Sequence, residues 1–191
     1  MSSRTPLLAA VAAIALTSAA PAFAASAFYD FEAQGGNATP LSITDNGLTA
    51  TFSSPSDPGQ FVIGNADGLA AGLSGNALTE TTGGSLDIAF SAPIGALSFN
   101  FALIDLLGLG GSDTLTLTTN TGATVTESSS LSGLLFPSGF LSYTGPDFSS
   151  VEITSTYAFA IDNVSVPEPA TLGMLGVGLA GLLASRRRRT A

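Results

Sequence analysis

From Ala96 to Leu103 the chain alternates without a break: Leu97, Phe99, Phe101 and Leu103 are large and apolar, and small or polar residues stand between them. Side chains two apart share one face only in an extended strand, so this run predicts a β-strand with one buried face. Thr114-Leu115-Thr116-Leu117-Thr118 repeats the pattern, and Asn120-Thr121-Gly122 follows with turn chemistry leading into the next strand. Between the two ends of the chain no long apolar stripe has the 3.6-residue period of a helix. Short β-like runs are punctuated instead by Gly, Pro, Asn, Asp and Ser. The expectation is an all-β domain, with strands over 27–33, 48–53, 61–64, 85–90, 95–103, 113–119, 123–128, 139–143, 151–155 and 158–166. Strands that bury one face and wet the other predict two antiparallel sheets packed as a sandwich or jelly roll. The stretch 57–77 is rich in Gly and Ala and reads as a long loop or a short helix around 68–73.

The core expected of such a fold is aromatic. Phe31, Phe52, Phe90, Phe99, Phe101, Phe140, Phe148 and Phe159 all fall on strand-like runs and are assigned to it.

The two ends differ in kind from this middle. Arg4 precedes the apolar run 7–16, and Ala22-Phe23-Ala24 supplies small residues two apart. This is the order of a secretory signal peptide, residues 1–24, with cleavage expected after Ala24 and Ala25 or Ala27 as alternatives. Ten apolar residues are too few to cross a hydrocarbon core of about 30 Å. At the other end Pro167-Glu168-Pro169 is followed by the uncharged stretch 170–184 and then by Arg186, Arg187, Arg188 and Arg189. The prolines stop the preceding strand and leave an extended stretch open to a processing enzyme. A fifteen-residue helix rises only about 22 Å, a marginal span helped by snorkelling arginines, and so suits transient insertion better than permanent anchoring. The arginines are expected on the cytoplasmic side, which leaves the middle outside.

The order Pro167-Glu168-Pro169, apolar helix, Arg186 to Arg189, with a signal peptide at the opposite terminus, resembles the PEP-CTERM family of exported proteins. The resemblance covers about 25 residues. It implies export through the Sec machinery, handling by a membrane protease of the exosortase type, and a destination in the cell envelope or exopolysaccharide matrix. The domain organisation expected is therefore a signal peptide (1–24), one β domain (25–166) and a sorting tail (167–191).

Charge sharpens the picture of that β domain. All five basic residues lie in the two end segments, there is no His, and of the fourteen acids only Glu168 lies outside the middle. The domain carries thirteen carboxylates and no cation, which repels phosphate backbones and argues against nucleic acid as a partner. Any carboxylate it buries has to be satisfied by N–H groups, hydroxyls, amides, protonation or a metal ion. Cysteine is absent too. Without His, Cys or Lys in the domain, only a pair of carboxylates remains for acid-base chemistry, as in a glycosidase, and no enzymatic function is expected.

Phe28-Tyr29-Asp30-Phe31-Glu32 and Phe159-Ala160-Ile161-Asp162-Asn163-Val164-Ser165-Val166 are similar to the first and last strands of jelly rolls among PEP-CTERM proteins and galactose-binding-like carbohydrate-binding modules. The resemblance implies that these strands lie together and that acids there hold a structural Ca²⁺. Glu32 and Asp162 are the candidate ligands, because Ca²⁺ takes carboxylate and carbonyl oxygens; the alternative is that both are solvated turn acids. Asn65-Ala66-Asp67-Gly68 fails as an EF-hand loop, since Ile63 and Ser74 occupy its first and twelfth positions. Asp45-Asn46-Gly47 reads as a turn before the strand at Leu48. With no Trp in the chain, Tyr143 is the candidate aromatic platform for a sugar, against the plainer reading of a sheet or core tyrosine. The function expected is a non-enzymatic surface or matrix protein, with a calcium-assisted carbohydrate-binding module as the alternative.

Overall fold

A computed structural model describes residues 26–167 apart from 56–57, 81–82, 105–112 and 132–133. The signal peptide, with Ala22 and Ala24, and the tail from Glu168 onward, with its expected helix and arginines, lie outside the described residues.

The described chain is all-β and antiparallel. Its strands are β1 (Ala27–Tyr29), β2 (Leu41–Asp45), β3 (Leu48–Ser53), β4 (Val62–Asn65), β5 (Asn76–Thr79), β6 (Ser85–Ile104), β7 (Thr114–Thr119), β8 (Thr124–Ser128), β9 (Ser138–Ser155) and β10 (Ala158–Val166). The expected strands at 85–90 and 95–103 are one strand, β6, and those at 139–143 and 151–155 are one strand, β9. These two long strands pair with each other, and their register slips between Ala89 and Ala96. Pro93 and Gly95 on β6, and Gly145 and Pro146 on β9, lie in that irregular stretch, where a strand can bend and pass from one layer to the other.

The bend divides the sheet into two layers. In the back layer, β2 pairs with β3, β3 with the first half of β6, that half with the end of β9, the end of β9 with β7, and β7 with β8. In the front layer, β4 pairs with β5, β5 with β10, and β10 with the second half of β6, which meets the start of β9. The first and last strands lie together as expected, Ala27 opposite Val166 and Tyr29 opposite Val164.

One core fills the space between the layers. Leu86 and Ile88 of the back layer and Leu97, Phe99, Phe101 and Leu103 of the front layer are fully enclosed in the same cluster. Aromatic edges join the layers: Tyr29 on β1 meets Phe52 on β3 with ring centroids 6.1 Å apart, and Phe31 meets Phe52 at 5.1 Å. The Tyr29 hydroxyl donates to the Leu48 carbonyl at 3.0 Å. Burial, and then the nearby Asp45 carboxylate, push that phenol up to about 12. Phe140 departs from expectation. It is 56% exposed, because Leu141 takes the inward position and strand alternation turns its neighbour out.

The turns follow the residues. Asn46 and Gly47 both have positive φ, 48° and 82°. That pair of values forms a two-residue hairpin turn between β2 and β3 whose twist matches the strands. Residues 68–73 form turns, not a helix.

Candidate functional site

Two groups of carboxylates stand out, one in each layer. The first lies where β10 changes partners, from β5 at Ala160 and Ile161 to β1 at Val164. Between these pairings the register slips, and Asn163 takes a left-handed conformation with φ 55°. Asp162 sits in this break, 1% exposed. Its Oδ2 accepts from the Ser74 amide at 3.2 Å and from Asn163 Nδ2 at 3.0 Å, and its Oδ1 accepts from the Asn163 amide at 2.7 Å. Burial pushes its carboxyl up to about 6 against the lowering effect of these donors, and the charges of Glu32 and Asp30 add to the rise.

Glu32 approaches the same loop from the other terminus. Its Oε1 accepts from the Asn76 amide at 3.2 Å, and its carbonyl accepts from Asn76 Nδ2 at 3.1 Å. Asp30 accepts from the Glu32 amide at 3.2 Å. Glu32 and Asp162, the two candidate calcium ligands, are thus brought to one loop, residues 74–76. What they do there is visible: they tie the first and last segments of the domain to it through backbone N–H groups. Both Asp162 oxygens are already engaged, so its burial is accounted for without a cation. Among the described residues no group of three or more His, Cys, Asp or Glu side chains is placed to hold a metal ion.

The same economy holds elsewhere. Glu80 is fully buried, and its Oε1 accepts from Gln60 Nε2 at 2.8 Å, while Gln60 Oε1 accepts from Ser54 Oγ at 2.7 Å. Asp67 accepts from the Gly75 amide at 2.6 Å and closes the 66–75 turn, a structural use of the segment that fails as an EF-hand. Among the described residues, Glu32, Asp67, Glu80 and Asp162 are each met by backbone or side-chain amide donors.

The second group lies on the outer face of the back layer. Ser53, Asp87, Glu152 and Thr118 stand side by side in register across β3, β6, β9 and β7. They belong to the lining of a trough of about 330 Å³ that also takes in Ala89, Thr119, Asn120, Ser150 and Val151. Around it the face is carpeted with hydroxyls, several paired across strands: Ser42 with Thr51 at 2.8 Å, Thr44 with Thr49 at 2.7 Å and Thr116 with Thr126 at 3.0 Å. Burial raises the Asp87 carboxyl above its ordinary value. Sequence alternation shows Asp87 facing out between Leu86 and Ile88, and Glu152 facing out between Val151 and Ile153. It does not show that β6 and β9 set the two opposite each other.

Tyr143 lies in the core cluster. It is 9% exposed and its ring meets Phe148 edge-on at 5.3 Å. A stacking platform needs an open ring face, and this ring is spent on the core.

The end of β10 leads into the tail. Residues 165–189 match the family described as the PEP-CTERM protein-sorting motif. The chain carries a PEP-CTERM sorting motif. The match begins in the last residues of β10, spans Pro167, Glu168 and Pro169, and reaches Arg189. Such a motif implies an exported protein that transits a membrane and is handled by an exosortase, itself a membrane protein.

No curated protein matches the chain. Among solved structures it is similar to CsCBM6-3 from Clostridium stercorarium in complex with cellobiose, at 12% identity over 62% of this chain and 94% of that one, with a TM-score of 0.37. It is also similar to the CBM22-1 xylan-binding domain of Xyn10C from Paenibacillus barcinonensis, at 15% identity over 75% of this chain and 95% of that one, with a TM-score of 0.32.

Proposed function

We propose that this chain is a non-enzymatic component of the bacterial surface or exopolysaccharide matrix, delivered through its PEP-CTERM tail. The observation that carries the reading is the sorting-motif match over 165–189, joined directly to the last strand of an acidic β-sandwich. In this reading the Sec machinery exports the chain and residues 1–24 are removed after Ala24. The apolar stretch then inserts transiently with Arg186 to Arg189 held on the cytoplasmic side, and an exosortase acts at Pro167-Glu168-Pro169.

Intact mass of the native protein, taken by cell fraction, tests this. The expected species is found outside the inner membrane and lacks both residues 1–24 and the arginine cluster. A full-length chain retained in the cytoplasm would sink the reading.

A second reading, a carbohydrate-binding module, is supported by the hydroxyl-lined trough on the back layer. Its calcium-assisted form places Ca²⁺ at Glu32 and Asp162. There the test is a thermal melt with Ca²⁺ and then with EDTA: a higher midpoint in calcium supports the ion, and an unmoved midpoint rejects it. Release of sugar from a polysaccharide, abolished by changing one acid, would replace the non-enzymatic reading with a glycoside-active one.

A further inference from the structure

We infer that the trough on the outer face of the back layer is a binding site for a neutral polysaccharide, with Asp87 and Glu152 as its central hydrogen-bond acceptors. The inference rests on the matrix reading above and deepens it by naming the surface and the ligand chemistry.

Strand pairing places Asp87 and Glu152 directly opposite each other. Like charges in that position destabilise a sheet. The domain has no cation to offset them, and Asp87 is partly desolvated as well. Two carboxylates held together at this cost are acceptors facing outward, and among the described residues no side-chain hydrogen bond occupies either. The groups around them decide what they accept from. Ser53, Thr118 and Ser150 both donate and accept, while the Asn120 side-chain amide is engaged with Ser149 and its neighbouring backbone and fixes the rim. That mixture complements hydroxyl groups, which also do both. The row from Ser53 to Thr118 crosses three inter-strand spacings of about 4.8 Å each, or about 14 Å, long enough for a short run of sugar units.

Charge selects among polymers. A domain of thirteen acids and no bases repels uronate-bearing or phosphorylated chains and leaves neutral ones. A basic peptide would use the two carboxylates and leave the hydroxyls of Ser53, Thr118 and Ser150 unmatched.

The test uses the full-length chain in a polyoxyethylene detergent, which carries no sugar. Affinity electrophoresis through gels containing hydroxyethyl cellulose, dextran or a soluble β-glucan measures neutral-polymer binding; alginate and polylysine serve as the anionic and cationic probes. Retardation by at least one neutral polymer is expected, and none by alginate. Asp87→Ala and Glu152→Ala should each weaken binding about tenfold, the scale of one lost hydrogen bond to a charged group. Ser150→Arg should block the trough, and Glu127→Gln on β8 should leave binding unchanged. Thermal melts of all variants separate lost binding from lost folding.

Neutral-polymer binding that survives Asp87→Ala, Glu152→Ala and Ser150→Arg in folded protein would move the site elsewhere and overturn the inference, while the matrix reading stands. Retardation by polylysine alone, or by no polymer, overturns it too. The cell-fraction measurement then judges the matrix reading by itself.

Discussion

Asp162 and Asp87 are both strand acids whose carboxyls are raised by burial, yet the fold treats them in opposite ways. Asp162 is enclosed at a break in a ladder and is given three N–H donors. Asp87 stays on a sheet face, next to another acid. The contrast teaches what a cation-free domain can do with a carboxylate. It can bury one where N–H donors are at hand, from the backbone at a bulge as for Asp162 or from a side-chain amide as Gln60 serves Glu80, and without such donors the charge stays toward water.

The comparison is broken most severely by cutting what holds its two layers together. Phe52 meets both Tyr29 and Phe31 across the core. Phe52→Ala should cost roughly 3–5 kcal/mol in urea unfolding. A loss below about 1 kcal/mol would mean the two acid sites do not share one cooperative unit.

Next comes the titration of Asp162. Its carboxyl is raised from 3.8 to about 6, so the folded state holds the proton more tightly than the unfolded one. Its contribution to stability is therefore greatest below pH 3.8 and falls as pH rises to about 6, by about 3 kcal/mol at about 1.4 kcal/mol per pH unit. Asp87 adds to this slope with the same sign. The melting midpoint should climb on acidification from pH 7 toward pH 4, and Asp162→Asn should flatten most of that climb. An unchanged slope in the variant would remove Asp162 from the explanation.

A smaller effect separates tie from solvent. Gly75 has φ +59°, and a Cβ there would land on the Glu32 carboxylate. Gly75→Ala should destabilise by about 2 kcal/mol through backbone strain and a displaced Glu32. Chemical denaturation reads it, and a neutral result would show that Glu32 is not fixed on the 74–76 loop. The smallest effect has the opposite sign: Asp87→Asn relieves the facing charges and should raise stability by less than about 1 kcal/mol. Destabilisation would mean that Asp87 serves the fold rather than the trough.

Much of this was legible beforehand, for local reasons. The alternation at Leu97 to Leu103 and Thr114 to Thr118 sets strand faces directly, and 158–166 is β10 as expected. Prolines and glycines at the bend look the same whether a strand ends or turns a corner, so the sequence pattern divides β6 and β9 into two strands each. β2 was missed because 41–45 carries few strongly β-forming residues. Its place comes from the Asn46-Gly47 turn, which folds it onto β3. β5 is four residues long and gains its order from β4 and β10 on either side. At the acid sites, sequence named Glu32 and Asp162 but not the loop that serves them, because residues 74–76 reach them only through the fold. The pairing of Asp87 with Glu152 is not visible in the sequence, since a separation of 65 residues says nothing about cross-strand register. Phe140 failed through parity alone, by one residue.

The tail leaves from the end of β10, and β10 is held on one edge by β6 and on the other by β5 and β1. Ladder bonds run across a strand, so a pull along its axis loads them together rather than one after another. A chain tethered by its C-terminus while its back layer grips something else would feel force in shear, the direction in which a sheet yields last. In that arrangement β10, whose last residues open the sorting motif, would be the strand that carries the load.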